Sequence, residues 1–149
     1  MRRITEDRTT IEPIIRRARV CRIGLCDDGQ PYIIPVSFGY EDDTVYFHCS
    51  KKGRKIDILK KSNAVCVEFD VDAEFVEADE ACMWSAKYRS VIGFGKAYVI
   101  QDPEEKRRAL DAIMRQYSAK SYEYPEETLE KTEVVRIEIE DVTAKVAGY

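Results

Sequence analysis

With 149 residues and 44% hydrophobic content, the chain can enclose one core and build one domain. Its 28 acidic and 24 basic side chains leave a formal net charge of -4, which argues against a general electrostatic grip on nucleic acid or an anionic membrane. No apolar run approaches the roughly 20 residues of a membrane span, and MRRITEDRTT leads into no signal-peptide core, so the expectation is one cytoplasmic domain over 1–149 with a flexible tail over 1–9.

Thr10 is placed to cap a short helix whose apolar stripe is Ile11, Ile14, Ile15 and Ala18. Val20 to Cys26 reads as a strand, Asp28-Gly29 as a tight hairpin turn and Tyr32 to Tyr40 as the returning strand. Pro35, lacking an amide hydrogen, marks an edge, a bulge or a place where something other than a strand lies alongside. Thr44 to Cys49 forms a third strand. Ile56, Ile58 and Leu59 then suit a short helix ending at Lys60 to Asn63, and Ala64 to Val71 is again a strand. Phe75 to Met83 is acidic and weakly patterned, a strand with an irregular end. Arg89 to Ile100 is a long strand in which Gly93 and Gly95 mark a bend or a close backbone approach. Asp102-Pro103-Glu104-Glu105 is a helix start with cap, first-turn proline and capping-box carboxylate, and Ala109, Leu110, Ile113, Met114 and Tyr117 form the buried stripe behind it. A polar connection with room for a helical turn leads to a last strand, Glu133 to Val146. Many strands joined by turns, with few short helices, predict a mainly antiparallel barrel rather than a doubly wound sheet.

Cys21, Cys26, Cys49, Cys66 and Cys82 form an odd set without a C-x-x-C pair and read as buried, reduced thiols. One histidine and no paired cysteines argue against structural zinc. A nucleophile system would have to use His48, around which nothing resembles a nucleophile elbow. The stronger signal is the run Lys51, Lys52, Arg54 and Lys55. Such clusters are ordinarily a solvated face, but helix polarity argues otherwise here. Arg54 and Lys55 stand at the first turn, where the positive end of the helix dipole disfavours cations, whereas Lys60 and Lys61 stand where cations help. An anion at the first end resolves the conflict: backbone amides, Ser50, Gly53 and two or three cations make a phosphate site. It is not a P-loop, since G-x-x-x-x-G-K-[ST] is absent.

The stretches YIIPVSFGYEDDTVYFHCSKKGRKIDIL and WSAKYRSVIGFGKAYVI, followed by PEEKRRAL, resemble the flavin-binding split barrels that include pyridoxamine 5'-phosphate oxidase, and among them the nitroimidazole-resistance branch. The resemblance runs from Ile11 to Lys145. It implies a mainly β fold, a six-stranded antiparallel split barrel with a few flanking helices, working as a homodimer with FMN at the interface. Pro35, Val36 and Ser37 would offer backbone groups to the flavin's pyrimidine edge, Phe47 and His48 would lie near its ring and ribityl chain, and Arg54 and Lys55 would hold its phosphate. Trp84, Tyr88, Arg89, Ser90 and Val91 would reach into the partner's site, with Ser90 where pyridoxamine phosphate oxidases carry glutamine. The ending DVTAKVAGY lacks their Arg-rich substrate motif, so vitamin B6 oxidation is not implied, and histidine at 48 is a trait of the nitroimidazole branch.

The activity so implied is an FMN-dependent oxidoreductase passing reducing equivalents from NAD(P)H or another donor to a small acceptor such as a nitroaromatic, with His48 as hydrogen-bond donor or proton source. The alternative is a flavin- or heme-binding module serving as sensor, store or carrier. In either case the cofactor carries the redox chemistry and no side chain has to be a nucleophile. Residue by residue the ordinary readings are a strand histidine bonded to a carbonyl for His48, an interface aromatic for Trp84 and a solvated face for Tyr88 and Arg89.

Overall fold

The computed structural model describes residues 1–149. In chain order the elements are β1 (Arg2–Thr5), α1 (Arg8–Arg17), β2 (Cys21–Asp27), β3 (Gln30–Val36), β4 (Gly39–Glu41), β5 (Thr44–Ser50), α2 (Arg54–Lys61), β6 (Ala64–Val76), a 3₁₀ turn (Ala81–Met83), β7 (Ser85–Val99), α3 (Pro103–Tyr117), α4 (Glu126–Lys131) and β8 (Thr132–Ala147). The strands lie in the order β3-β2-β6-β7-β8-β5-β4, with β1 added to β8, and every pairing is antiparallel. The first and last strands of this order are consecutive in the chain, separated only by Ser37 and Phe38. The sheet has therefore curled until its ends meet, which makes it a barrel. No helix is long and apolar enough to cross a membrane.

Alternation fills the interior. Cys21, Ile23 and Leu25 of β2, Val45 and Phe47 of β5, and Val135 and Ile137 of β8 point inward, joined by Ile11, Ile14 and Ile15 of α1 and Ile56 and Ile58 of α2. Phe38 packs edge-on against Phe69 with ring centroids 5.0 Å apart. The same alternation corrects the expectation for Cys26, which follows inward Leu25 and is exposed, as is Cys82; only Cys21 is fully buried, and all five thiols are free.

The expected antiparallel barrel counts eight strands for two reasons. The stretch read as a free tail pairs as β1, Arg2 to Thr5 against Ala147 to Ala144, and the run Tyr32 to Tyr40 breaks into β3 and β4. The acidic stretch after Phe75 leaves the sheet at Val76 and turns through Ala81–Met83, and the polar connection contains α4, seated by buried Leu129. Asp7 rather than Thr10 caps α1, its carboxylate accepting from Thr9 N at 3.0 Å. Asp102 caps α3 as the sequence predicts, accepting from Glu105 N at 3.0 Å. Asp102→Ala should lower the unfolding free energy by about 1 kcal/mol, seen as an earlier urea midpoint with unchanged slope; an unmoved midpoint would mean that water replaces the cap without cost.

Candidate functional site

β4 pairs with β5 through Gly39 opposite Tyr46, Tyr40 opposite Val45 and Glu41 opposite Thr44. Continued in the same register, Phe38 would face Phe47, Ser37 would face His48, Val36 would face Cys49 and Pro35 would face Ser50. No such pairs form: β3 pairs only with β2, and Phe47 to Ser50 pair only with Val135 to Thr132 of β8. The barrel is thus open along a seam between one edge of β3 and one edge of β5. Tyr117 of α3 anchors the bend at the head of the seam. The Phe38 amide, which faces away from β5 because Gly39 and Glu41 are the residues that bond that strand, donates to the Tyr117 hydroxyl at 3.0 Å, and that hydroxyl donates to Arg19 O at 2.8 Å. Pro35 lies on the seam, where a missing donor disturbs no ladder.

The seam runs toward the start of α2. Gly53 precedes that helix at φ 148°, ψ 169°, a conformation reserved for glycine, and supplies no capping side chain. A Cβ there would meet nothing within 4 Å, so this backbone stands in open space. α1 and α3 carry carboxylate caps, whereas the first-turn amides of α2 are left without one and are flanked by Arg54 and Lys55. The Arg54 guanidinium lies 4.2 Å from the ring centroid of Tyr32 and 3.8 Å from Asp27 Oδ2, tying the helix start to the β2–β3 hairpin. Ser50 Oγ donates to Lys52 O at 2.8 Å. Its hydrogen orders the loop that leads to α2. His48 is exposed, and the neighbouring Cys49 points inward. Burial pushes the Cys49 thiol up, Lys55 offsetting this only in part, so the thiol rather than the thiolate prevails. Together, uncapped amides, two cations and a strip of unpaired strand edge can hold a flat ligand carrying a phosphate.

Two expected contacts are redirected by the pleat. Phe47 and Val91 are core residues, 1% and 0% exposed, so neither side chain is available at the seam. The remaining candidates lie elsewhere on the barrel. Along β8, His48 is opposite Val134 and Ser90 is opposite Lys145, a separation of eleven residues or about 36 Å of strand. Beyond β8, Glu74–Val76 and Ser85–Lys87 pair only with each other, forming an arm with exposed Phe75, Met83 and Trp84. Trp84 Nε1 donates to Ala78 O at 2.7 Å. Arg89 binds Asp72 at 2.6 Å and covers the Tyr149 ring at 4.0 Å. One chain therefore brings Pro35, Val36, Ser37, His48, Ser50, Arg54 and Lys55 into one region, and keeps Trp84, Tyr88, Arg89 and Ser90 away from it. Tyr117 is the site residue that sequence reasoning missed, since its helical spacing marks only a buried stripe.

On the outer face of β2 and β6, Arg22 reaches Asp70 at 2.9 Å and Glu68 at 3.5 Å. Glu68 Oε1 is buried without a hydrogen-bond partner. It borders an apolar groove of about 450 Å³ lined also by Ile33, Cys66 and Phe94. Burial and then the Asp70 carboxylate push Glu68 up to about 7, with Arg22 offsetting only part. The folded state thus holds this proton more tightly than the unfolded chain, and stability contributed by the protonated form is lost as pH rises from about 4.5 through about 7. Glu68→Gln should raise the thermal midpoint at pH 8 and change it little at pH 4.5. Equal effects at both values would assign the change to shape rather than charge.

The description pyridoxamine 5'-phosphate oxidase belongs to the family model that matches residues 7–146. No curated protein matches the chain. Among solved structures, a candidate 5-nitroimidazole antibiotic resistance protein from Bacteroides thetaiotaomicron shares 37% identity over 98% of this chain and 87% of its own, with a TM-score of 0.88. A flavocytochrome from Azotobacter vinelandii, 24% identical over 98% of this chain and 70% of its own, superposes with a TM-score of 0.82. An FAD and heme binding protein from Mycobacterium smegmatis, 22% identical over 98% and 74%, gives 0.87. These last two likenesses are of fold.

Proposed function

Since the chain belongs to the pyridoxamine 5'-phosphate oxidase family, we propose that it is an FMN-dependent oxidoreductase, working as a homodimer and passing reducing equivalents from NAD(P)H or another donor to a small acceptor such as a nitroaromatic. The observation that carries this reading is the seam: an unzipped strand edge ending at an uncapped helix start that bears Arg54 and Lys55. Arg54, Lys55 and the first amides of α2 would hold the cofactor phosphate, and the backbone of Pro35 to Ser37 would bond the pyrimidine edge of the ring. When bound, FMN supplies two-electron chemistry with both nicotinamides and oxidised acceptors. The protein's part is to orient the ring, shield one of its faces and hold a proton beside the acceptor. His48, exposed on the β5 side of the seam, is suited to that last role. Trp84, Tyr88, Arg89 and Ser90 lie too far from His48 along β8 to share its site within one chain, so their contribution would come from the second copy. The likeness to the Bacteroides protein supports a nitroaromatic acceptor.

The test is spectroscopic. Protein incubated with FMN and desalted should retain flavin absorption, bleach with NAD(P)H under nitrogen and recover on addition of a nitroimidazole. Retained flavin that no nicotinamide bleaches would favour the carrier or sensor reading. A colourless protein after FMN and positive heme binding would replace the cofactor itself.

A further inference from the structure

We propose that the polar cavity beside the start of α3 is a second oxyanion site, centred on Lys106 and separate from the one at Arg54 and Lys55. Lys106 is the single charged residue that the fold buries, 8% exposed. Its ammonium donates to Leu129 O at 3.1 Å and to Thr132 O at 3.0 Å. Both acceptors are neutral carbonyls, and Lys106 belongs to no ion pair. An ammonium has three hydrogens to give, so one is left over. A buried cation without a counter-charge is a costly arrangement that a bound anion relieves.

There is room for that anion. Lys106 lines a cavity of about 410 Å³ together with Lys51, Gln101, Arg107, Glu126 and Glu130. Three cations face two carboxylates there, and both carboxylates are on exposed side chains of α4 and its neighbourhood while the buried charge is positive. Arg107 also pairs with Glu104 at 2.7 Å. The chemistry selected is a small oxyanion, a phosphate monoester or a carboxylate, because the two exposed glutamates that line the cavity repel extended polyanions. Thr132, which accepts from Lys106, is the ladder partner of Ser50, and Lys51 follows Ser50. The site therefore lies against the same loop that leads to Arg54, and a ligand there touches that loop.

Inorganic phosphate and acetate are titrated calorimetrically into the full chain and into its Lys55→Glu variant, where phosphate has no second place to bind. The Lys55→Glu protein should still bind one of the two anions, and adding Lys106→Met should weaken that binding by about tenfold or more. Should Lys106→Met fail to fold, Lys51→Gln with Arg107→Gln leaves the buried bonds intact and should weaken binding by a similar factor. Tighter phosphate identifies a monoester site and tighter acetate a carboxylate site. Absence of binding of either anion to the Lys55→Glu protein, or unaltered affinity after the cavity substitutions, overturns the proposal. FMN retention by the Lys106→Met protein is read separately, so a failed flavin reading and a failed oxyanion site give different patterns.

Discussion

Lys55→Glu is expected to abolish FMN binding, weakening it by about a hundredfold or more, while leaving the barrel folded. The substitution removes a charge-assisted bond to the phosphate, about 2 kcal/mol, and adds like-charge repulsion at the same place. It is nevertheless favourable to the helix. At the first turn of α2, which no side chain caps, a carboxylate suits the dipole by a few tenths of a kcal/mol, so the thermal midpoint should hold or rise slightly. This separates loss of binding from loss of structure. Riboflavin, which lacks the phosphate, provides the control: its affinity should be the same in parent and variant. FMN binding that survives Lys55→Glu would move the phosphate away from α2 and take the main support from the proposed cofactor assignment.

Gly39→Ala should be among the most destabilising single substitutions in the chain, costing about 3 kcal/mol. A Cβ at Gly39 would stand 2.4 Å from Ile113 N and 2.5 Å from Ala112 C. Both are backbone atoms in the middle of α3, which cannot yield locally without breaking helical bonds, so the whole helix must withdraw from β4. α3 also carries Tyr117, whose hydroxyl accepts from the Phe38 amide, and its withdrawal should free the bend between β3 and β4 beside the seam as well. The expected result is an earlier urea midpoint together with weaker FMN binding. A stable variant with normal binding would mean that α3 rides loosely on β4 and that the bend anchored by Tyr117 does not shape the site.

What could be read from the sequence was local. The Asp28-Gly29 hairpin, the cap at Asp102, and the conflict between Arg54, Lys55 and the helix dipole each depend on residues a few positions apart. The break between β3 and β4 is hidden because Tyr32 to Tyr40 is an unbroken apolar-rich run, and the bond that anchors the bend comes from Tyr117, 79 positions away. Pro35 was the one local hint. Resemblance places Phe47 and Val91 at the flavin, whereas strict alternation along β5 and β7 directs their side chains inward. The separation of Trp84 and Ser90 from His48 required the strand registers, since no composition or periodicity fixes which part of β8 each strand meets.

The open seam carries a hazard of its own. An unpaired strand edge is a template on which another molecule can add a strand, the first step toward aggregation. β3 meets this with proline. Pro31 and Pro35 are opposite Cys26 and Arg22 in the ladder, and because neither can donate to β2, both nitrogens face outward. Of residues 31, 33 and 35, which share that orientation, only Ile33 has a hydrogen to offer. The edge that the proposed reading leaves free for a ligand is thus a poor partner for any other strand, so the open seam resists polymerising with its neighbours.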